Sequence, residues 1–208
     1  MLIKRRLGIK FFKNLVPTLM KIPVEVSARH VHLSKKDLEI LFGSGCELTK
    51  RKDLSQPGQY AAEERLEIQG PNGVIKNVAI LGPTRLKTQV EVSLTDCRKL
   101  GTKAFIRESG DLKGTESCVL VGPCGTCEIS EGLIVALRHI HMAPSDADDL
   151  GVLDQQIVKV KIKSDNRSVI FDDVIVRVSN KFSLAMHVDT DEGNAANCVV
   201  GTFGEIVK

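Results

Sequence analysis

The chain has 208 residues, of which 42% are hydrophobic, so it is long enough to bury a core in one large or two small domains. Aromatic residues make up only 4% and tryptophan is absent, which argues against a platform that stacks nucleic-acid bases. The formal net charge of +3 comes from residues 1–21, which hold six basic residues and no acidic one, whereas the remainder has 23 basic and 26 acidic residues, so a general affinity for nucleic acid is not indicated.

Residues 1–21 differ from the rest of the chain. Apolar residues recur there at helical spacing, with basic residues between them: Leu7, Phe11, Phe12, Leu15, Val16, Leu19 and Met20. Lys10 and Lys13 interrupt the apolar region that a secretory signal needs, and no stretch of the chain reaches the roughly 18 apolar residues of a membrane span. The segment is a helix that docks to a protein partner, a membrane-surface helix or a piece of the core, and we favour docking.

From Ile22 onward the pattern is mainly β. Apolar and polar residues alternate in short runs separated by turn signals, at residues 24–27, 65–68, 90–92 and 158–162. Ser34 precedes a predicted helix over residues 35–42 and Ser145 one over residues 146–150; two more are predicted over residues 95–100 and 131–137. The pattern predicts two β-barrel domains related by internal duplication and capped by short α-helices, with a single sandwich as the alternative.

Two short motifs hold four of the five histidines. Arg-His-Val-His-Leu at residues 29–33 returns as Arg-His-Ile-His-Met at residues 138–142. On an extended strand, side chains two residues apart project from the same face, so each motif presents two imidazoles side by side. Each motif therefore predicts a pair of metal ligands.

The segments downstream of the two motifs also match. Thirteen residues separate position 78 from Glu91, and the same interval separates position 174 from His187, the fifth histidine. Glu91 and His187 thus fall at equivalent places of a diverged tandem duplication, and so do the cations Arg85 and Lys181.

Each half offers two histidines and one further ligand, which are His30, His32 and Glu91 in the first half and His139, His141 and His187 in the second. Three protein ligands with an open position are typical of a catalytic divalent metal. Zinc is favoured because imidazole suits it, although iron, cobalt and nickel also take such sites. The competing interpretation, hydrogen-bonded core histidines, does not explain why every histidine occupies a matching position.

The six cysteines are scattered through a chain that is too long to need disulfides, which indicates a reducing, cytosolic location with free thiols. Cys124 and Cys127 form a single C-x-x-C motif. We interpret it as a Gly-rich turn that contains two thiols; a redox pair and an additional metal site are the alternatives.

Longer motifs make the chain similar to a known family. They read VSARHVHLS at residues 26–34, PGQYAAEE at 57–64, GPTR at 82–85, TQVE at 88–91, RESGD at 107–111, RHIHMAP at 138–144 and MHVDTDE at 186–192. Over residues 22 to about 197 the chain resembles the phosphate propanoyltransferases, the phosphotransacylases associated with bacterial microcompartments.

The resemblance implies reversible conversion of an acyl-CoA (propanoyl-CoA or a similar short chain) and phosphate into an acyl phosphate and CoA. It implies two divalent metal ions, usually zinc, on the same six ligands, and it places the conserved cation of the family at Arg85. It also implies two β-barrels in which the N-terminal strand joins the C-terminal barrel. Residues 22–28 with 137–208 are then one domain, and residues 29–136 are the other.

The resemblance extends to residues 1–21, which are similar to the extensions that direct some members into a protein shell. This implies shell proteins as partners and a location in the cytoplasm, inside a microcompartment such as one for propanediol degradation. Whether the chain forms a homo-oligomer is left open.

The chemistry of the reaction agrees with this set of residues. Two dications bind and orient phosphate and polarise a thioester carbonyl, while Arg85 grips phosphate through two hydrogen bonds. Two rival functions use the same ligands. A metal-dependent hydrolase of thioesters or phosphate esters would direct the ions at water, and a non-enzymatic assembly module would use them for stability alone.

Overall fold

The structure, a computed structural model, describes residues 20–207, so the predictions for residues 1–19 lie outside the described part. Its elements begin with β1 (Ile22–Ser27), β2 (His30–His32), α1 (Lys35–Phe42), β3 (Lys50–Asp53), β4 (Tyr60–Gln69), β5 (Val74–Gly82), β6 (Gln89–Glu91), α2 (Leu94–Leu100) and β7 (Ile106–Arg107). They continue with β8 (Glu116–Val121), β9 (Thr126–Ala136), β10 (His139–Met142), α3 (Pro144–Leu150), β11 (Ile157–Ile162), β12 (Val169–Val178), β13 (Ala185–Asp189), α4 (Thr190–Ala195) and β14 (Phe203–Val207). Within residues 20–207, none of the helices combines the length and the apolar character needed to cross a bilayer.

The strands close into two barrels of six. Strands β1, β13, β10, β12, β11 and β14, in that order, form the C-terminal barrel, which β14 closes by pairing with β1. Strands β4, β5, β2, β6, β9 and β8 form the N-terminal barrel, which β8 closes by pairing with β4. Strands β3 and β7 extend this second sheet at β4 and β9. The predicted pair of barrels is confirmed and the single sandwich is wrong.

The two barrels repeat the same strand pairing. In the N-terminal barrel β2 runs parallel to β5 and antiparallel to β6, and His30 lies opposite Glu91. In the C-terminal barrel β10 runs parallel to β12 and antiparallel to β13, and His139 lies opposite His187. The equal intervals in the sequence therefore correspond to the same strand register in both barrels. The duplication is thus seen in the structure as well as in the sequence.

One strand of each repeat lies in the other repeat's barrel. Strand β1 immediately precedes β2 in the chain but pairs with β13 and β14, while β9 immediately precedes β10 but pairs with β6 and β8. On this pairing we propose the domain division that the resemblance implies, residues 22–28 with 137–208 and residues 29–136.

Each barrel has its own apolar core. In the N-terminal barrel, Val31, Leu120 and Leu133 are fully buried. In the C-terminal barrel, Ile140 and Val176 are fully buried. Val31 and Ile140 are the middle residues of the two H-x-H motifs, so burial of the residue between the histidines turns both imidazoles away from the core. The packing of each barrel thereby sets the direction of its two imidazoles.

Two helix predictions are confirmed and two need correction. Helix α1 begins after its cap Ser34, as predicted, and α2 covers residues 94–100. The predicted helix over residues 131–137 is wrong, because its β-branched centre, Ile134 and Val135, pairs with β6 and β7 as part of β9.

The cap of α3 also differs from the prediction. The helix begins at Pro144, and Ser145 lies inside it rather than at the cap. Proline fits the first helical position because its missing N–H has no partner there. The Asp146 carboxylate accepts a hydrogen bond from the Ala143 N–H at 2.9 Å, so the side-chain hydrogen bond at this end of α3 comes from Asp146 and not from Ser145.

The C-x-x-C motif lies at the hairpin between β8 and β9. Gly122 and Gly125 approach the end of α1 so closely that a Cβ atom on either would collide with a backbone oxygen of that helix. Cys124 is exposed, whereas Cys127 is buried and its thiol donates to the Asp37 carboxylate at 3.2 Å. The motif therefore lies in a Gly-rich turn, and all six cysteines are free.

Candidate active site

The first triad consists of His30 and His32 on β2 and Glu91 on β6. The Nε2 atoms of His30 and His32 lie 3.5 Å and 3.8 Å from the Glu91 carboxylate. The two imidazoles meet edge to face with ring centroids 5.0 Å apart. One ligand atom from each residue lies within 4.8 Å of the other two, so the three side chains converge on one point.

The second triad consists of His139 and His141 on β10 and His187 on β13. Its ring centroids are 4.5 Å apart for His139 and His141, 5.1 Å for His139 and His187, and 5.0 Å for His141 and His187. One nitrogen from each ring again lies within 4.8 Å of the other two. Among residues 20–207 these two triads are the groups of three or more metal-binding side chains that converge in this way.

The backbone orients the leading histidine of each triad in the same way. The Nδ1 atom of His30 lies 2.9 Å from the Ala28 carbonyl, and the Nδ1 atom of His139 lies 2.7 Å from the Leu137 carbonyl. A carbonyl only accepts, so each ring carries a proton on Nδ1, and Nε2 is the nitrogen left to act as a ligand. A backbone hydrogen bond on the far nitrogen is the usual way in which proteins orient a metal-binding histidine.

Burial keeps four of the imidazoles neutral. Burial, together with a neighbouring imidazole, lowers the pKa of His32 and of His187 to about 3 each. Burial lowers the pKa of His141 to about 2, again with help from the adjacent histidines, and it lowers the pKa of His139 as well. Neutral imidazole is the form that binds a metal ion.

His30 and Glu91 form a coupled pair. Burial lowers the pKa of His30, but the Glu91 carboxylate outweighs this effect and raises the pKa overall. Burial raises the pKa of Glu91, but the His30 charge and hydrogen bond, with His32 and Arg85, lower it well below the usual range. Glu91 is therefore ionised, which is the ligand form of a carboxylate.

These donor sets fit two divalent metal ions. On a tetrahedral zinc ion with bonds of roughly 2.0–2.1 Å, two ligand atoms lie about 3.4 Å apart, close to the separations around Glu91. Nitrogen-rich sets with at most one carboxylate suit zinc better than magnesium or calcium.

Both triads open into one cleft of about 440 Å³ between the barrels. All six predicted ligands line it, and so does Arg85. The Arg85 N–H donates to the Leu33 carbonyl at 2.8 Å, and its guanidinium donates to the Ser109 hydroxyl at 3.2 Å. Burial lowers the pKa of Arg85, but the guanidinium stays charged at any physiological pH. The structure thus brings the seven predicted site residues together.

A further arginine that lines the cleft, Arg177, was not predicted. It lies on β12 opposite His141, 3.8 Å from the Glu108 carboxylate and 5.8 Å from the centre of the Phe182 ring. Lys181, the residue equivalent to Arg85 by spacing, is exposed and is not part of the cleft wall. Extending the duplication into β12 would have placed residue 177 beside the second H-x-H pair.

Two further polar residues escaped the sequence analysis. The Glu25 carboxylate lies 3.7 Å from Nδ1 of His187, on the paired strand β1. Gln56 is buried, bonds both backbone groups of Ser183 across the barrels, and places its amide nitrogen 3.5 Å from Nε2 of His187. Both contacts join residues far apart in the chain, so no local motif could reveal them.

Comparison with known proteins agrees with this geometry. The family model described as phosphate propanoyltransferase matches residues 23–199. The chain is 54% identical over 187 residues to the phosphate propanoyltransferases of Thermotoga maritima and of Clostridioides difficile, covering 90% of this chain and 89% of each relative. It is 48% identical to that of Alkaliphilus metalliredigens over 200 residues, 96% of this chain and 94% of the relative. The chain therefore belongs to the phosphate propanoyltransferase family and is an acyltransferase.

Proposed function

We propose that the chain transfers an acyl group, propanoyl or one of similar length, between CoA and inorganic phosphate in the cleft between the barrels. The observation that carries this proposal is the arrangement of two ligand triads and the guanidinium groups of Arg85 and Arg177 around one cavity. Phosphate is dianionic near neutral pH and needs several positive charges to approach a thioester. The names of the relatives support the same reaction.

Two zinc ions belong in this proposal, one held by His30, His32 and Glu91 and the other by His139, His141 and His187. When bound, they supply positive charge that draws in phosphate and polarises the thioester carbonyl. The four neutral imidazoles and the ionised Glu91 are already in their ligand forms, whereas His30, whose pKa Glu91 raises, gives up a proton when the ion binds.

The arginines bind the substrate anion. Arg85 presents a planar guanidinium that matches two phosphate oxygens, and the Ser109 hydroxyl holds it in that orientation. Arg177 carries a second positive charge in the same cleft, where Glu108 and the Phe182 ring hold it. A phosphate oxygen then attacks the carbonyl carbon, a C–O bond forms and the C–S bond breaks. CoA leaves as thiolate and takes the proton that the phosphate releases.

Phosphate dependence separates this function from its rivals. With metal-loaded protein and propanoyl-CoA, we expect CoA release only when phosphate is present, with acyl phosphate accumulating and trapped by hydroxylamine as the hydroxamate. CoA release without phosphate and without hydroxamate would establish the metal-dependent hydrolase instead. No turnover, combined with loss of the fold on chelation, would establish the assembly module.

Residues 1–21 belong to a separate part of the proposal, a location inside a bacterial microcompartment. Their basic and apolar pattern is that of a segment that docks to a partner, here the shell proteins. Strand β1 begins at the fully buried Ile22, and Lys21 lies over the Phe203 ring at 6.0 Å, so the barrel starts at these residues.

Deleting residues 1–20 therefore tests the location without touching the barrel. We expect kcat and the KM values to stay within twofold, because no described cleft residue is removed, while co-purification with shells is lost. The measurement is turnover and shell association of the deletion variant beside the full chain. Turnover lost together with the fold would move the segment into the core, and shell association retained would contradict the docking role.

A further inference from the structure

An arginine precedes the first histidine of both H-x-H motifs, and both arginines make the same kind of ion pair. The Nε–H of Arg29 donates to both carboxylate oxygens of Asp96, at 2.9 Å and 2.8 Å. The Nε atom of Arg138 lies 2.9 Å from the Glu192 carboxylate. Asp96 lies five residues after Glu91, and Glu192 lies five residues after His187. The third ligand of each triad is therefore followed, at a fixed interval, by a carboxylate that binds the arginine.

Each of these carboxylates also caps the helix that follows the third ligand. Helix α2 begins after Ser93, whose N–H donates to Asp96 at 3.2 Å. Helix α4 begins after Asp189, whose N–H donates to Glu192 at 3.1 Å. Both caps lie two residues beyond the third ligand of their triad. One carboxylate thus joins the arginine to the backbone next to that ligand.

These ion pairs lie where the backbone pairing between the ligand-bearing strands ends. The backbone pairing between the two ligand-bearing strands ends at His30 opposite Glu91 and at His139 opposite His187. One residue beyond these ends, the ion pair is the next link between the two chain segments. It fixes the end of the strand that carries the third ligand against the strand that carries the two histidines.

We propose that Arg29 and Arg138 are positioning residues, each of which sets the third ligand of its own triad at metal-binding distance from the H-x-H pair. This inference rests on the proposed metal sites and deepens them. An ordinary exposed ion pair contributes little to stability, yet here one partner, Asp96, is 4% exposed and is held from two sides. Removing a group that orients a metal ligand without contacting the metal typically lowers metal affinity by about 10- to 100-fold.

The test is a competition between chelator and protein for zinc, with Arg29→Gln, Arg138→Gln and Arg107→Gln measured beside the unaltered chain. We expect each of the first two variants to lower the affinity for one of the two zinc ions by about tenfold or more and to leave the affinity for the other unchanged. Arg107→Gln is the matched control, because Arg107 also pairs with an aspartate and its side chain is similarly exposed, 38% against 41% for Arg29. It should leave both affinities unchanged.

Combining each arginine substitution with Glu91→Gln shows which triad holds the zinc ion whose affinity is lowered. In Glu91→Gln, which keeps the ion of the second triad, Arg138→Gln should weaken that ion and Arg29→Gln should not. Arg29 also lines the cleft, so direct substrate binding is the rival role. That role predicts a raised KM for phosphate with both metal affinities unchanged, and this outcome would overturn the inference.

The remaining outcomes are separable. If Arg29→Gln does not fold, Asp96→Asn breaks the same ion pair while its side-chain oxygen still accepts from the Ser93 N–H, and it should weaken the same ion. Lower thermal stability of the metal-free protein with unchanged zinc affinities would show a merely structural role and would refute positioning. If the unaltered protein binds no zinc, the proposed function itself is contradicted. If all variants bind two zinc ions as tightly as the unaltered chain does, only this inference is contradicted.

Discussion

Glu91→Gln should lower kcat by roughly 10³-fold and reduce bound zinc from two ions per chain to one. The substitution keeps the size of the side chain but removes the charge, and a neutral amide is a poor zinc ligand. The first triad then offers only His30 and His32. Loss of one metal ion removes several kcal/mol of transition-state stabilisation, and each 1.36 kcal/mol corresponds to tenfold in rate.

Zinc content and kcat are measured on the same preparation, beside Glu67→Gln. Glu67 is a strand carboxylate of the same barrel that pairs with Lys76 at 3.6 Å and lies outside the cleft, so its variant should keep two ions and full turnover. The mirror variant His187→Ala should lose the other ion with a similar fall in kcat. Two ions and undiminished kcat in Glu91→Gln would show that Glu91 is not a ligand.

Arg85→Ala is expected to lower kcat/KM for phosphate by about 10²- to 10³-fold, because the proposed pair of hydrogen bonds to a charged phosphate is lost and each contributes about 1.5–3 kcal/mol. Arg177 remains in the cleft, so the loss should stop short of complete inactivation. Arg85→Lys should recover only part of the activity, because an ammonium cannot match two phosphate oxygens with a planar fork. The measurement is initial rate against phosphate concentration at saturating propanoyl-CoA.

Lys87→Ala provides the control within the same loop. Lys87 is exposed and pairs with Glu131 at 3.6 Å, so removing it changes the local charge without reaching the cleft. Zinc content should stay at two ions in both variants. If Arg85→Ala matched Lys87→Ala in its phosphate kinetics, Arg85 would have no part in binding phosphate.

The convergence of the two triads could be predicted because two local rules determine it. Alternation along a strand places His30 and His32 on one face, and an equal interval downstream places the third ligand opposite the first histidine in each barrel. The second rule could be recognised only because the sequence is duplicated. Glu91 alone is an ordinary strand carboxylate, and its equivalence with His187 is what identifies it as a candidate ligand.

The remaining features depend on contacts between distant parts of the chain. Arg177 is one polar residue among several along β12, and only the fold shows that it shares a cleft with Arg85. Residues 131–137 have apolar residues that suit a helix or a buried strand, and pairing with β6, β7 and β8 decides for the strand. The local sequence pattern also does not show which barrel β1 joins. Each barrel has a parallel strand beside the strand that carries Glu91 or His187.

The most direct test removes the metal from the intact enzyme and then restores it. Protein stripped with a zinc chelator, checked by elemental analysis and by circular dichroism for retained fold, is assayed for phosphate-dependent CoA release from propanoyl-CoA. We expect activity to disappear with the metal and to return in proportion as two zinc ions per chain are added back. Full activity in folded protein that contains no transition metal would contradict the account.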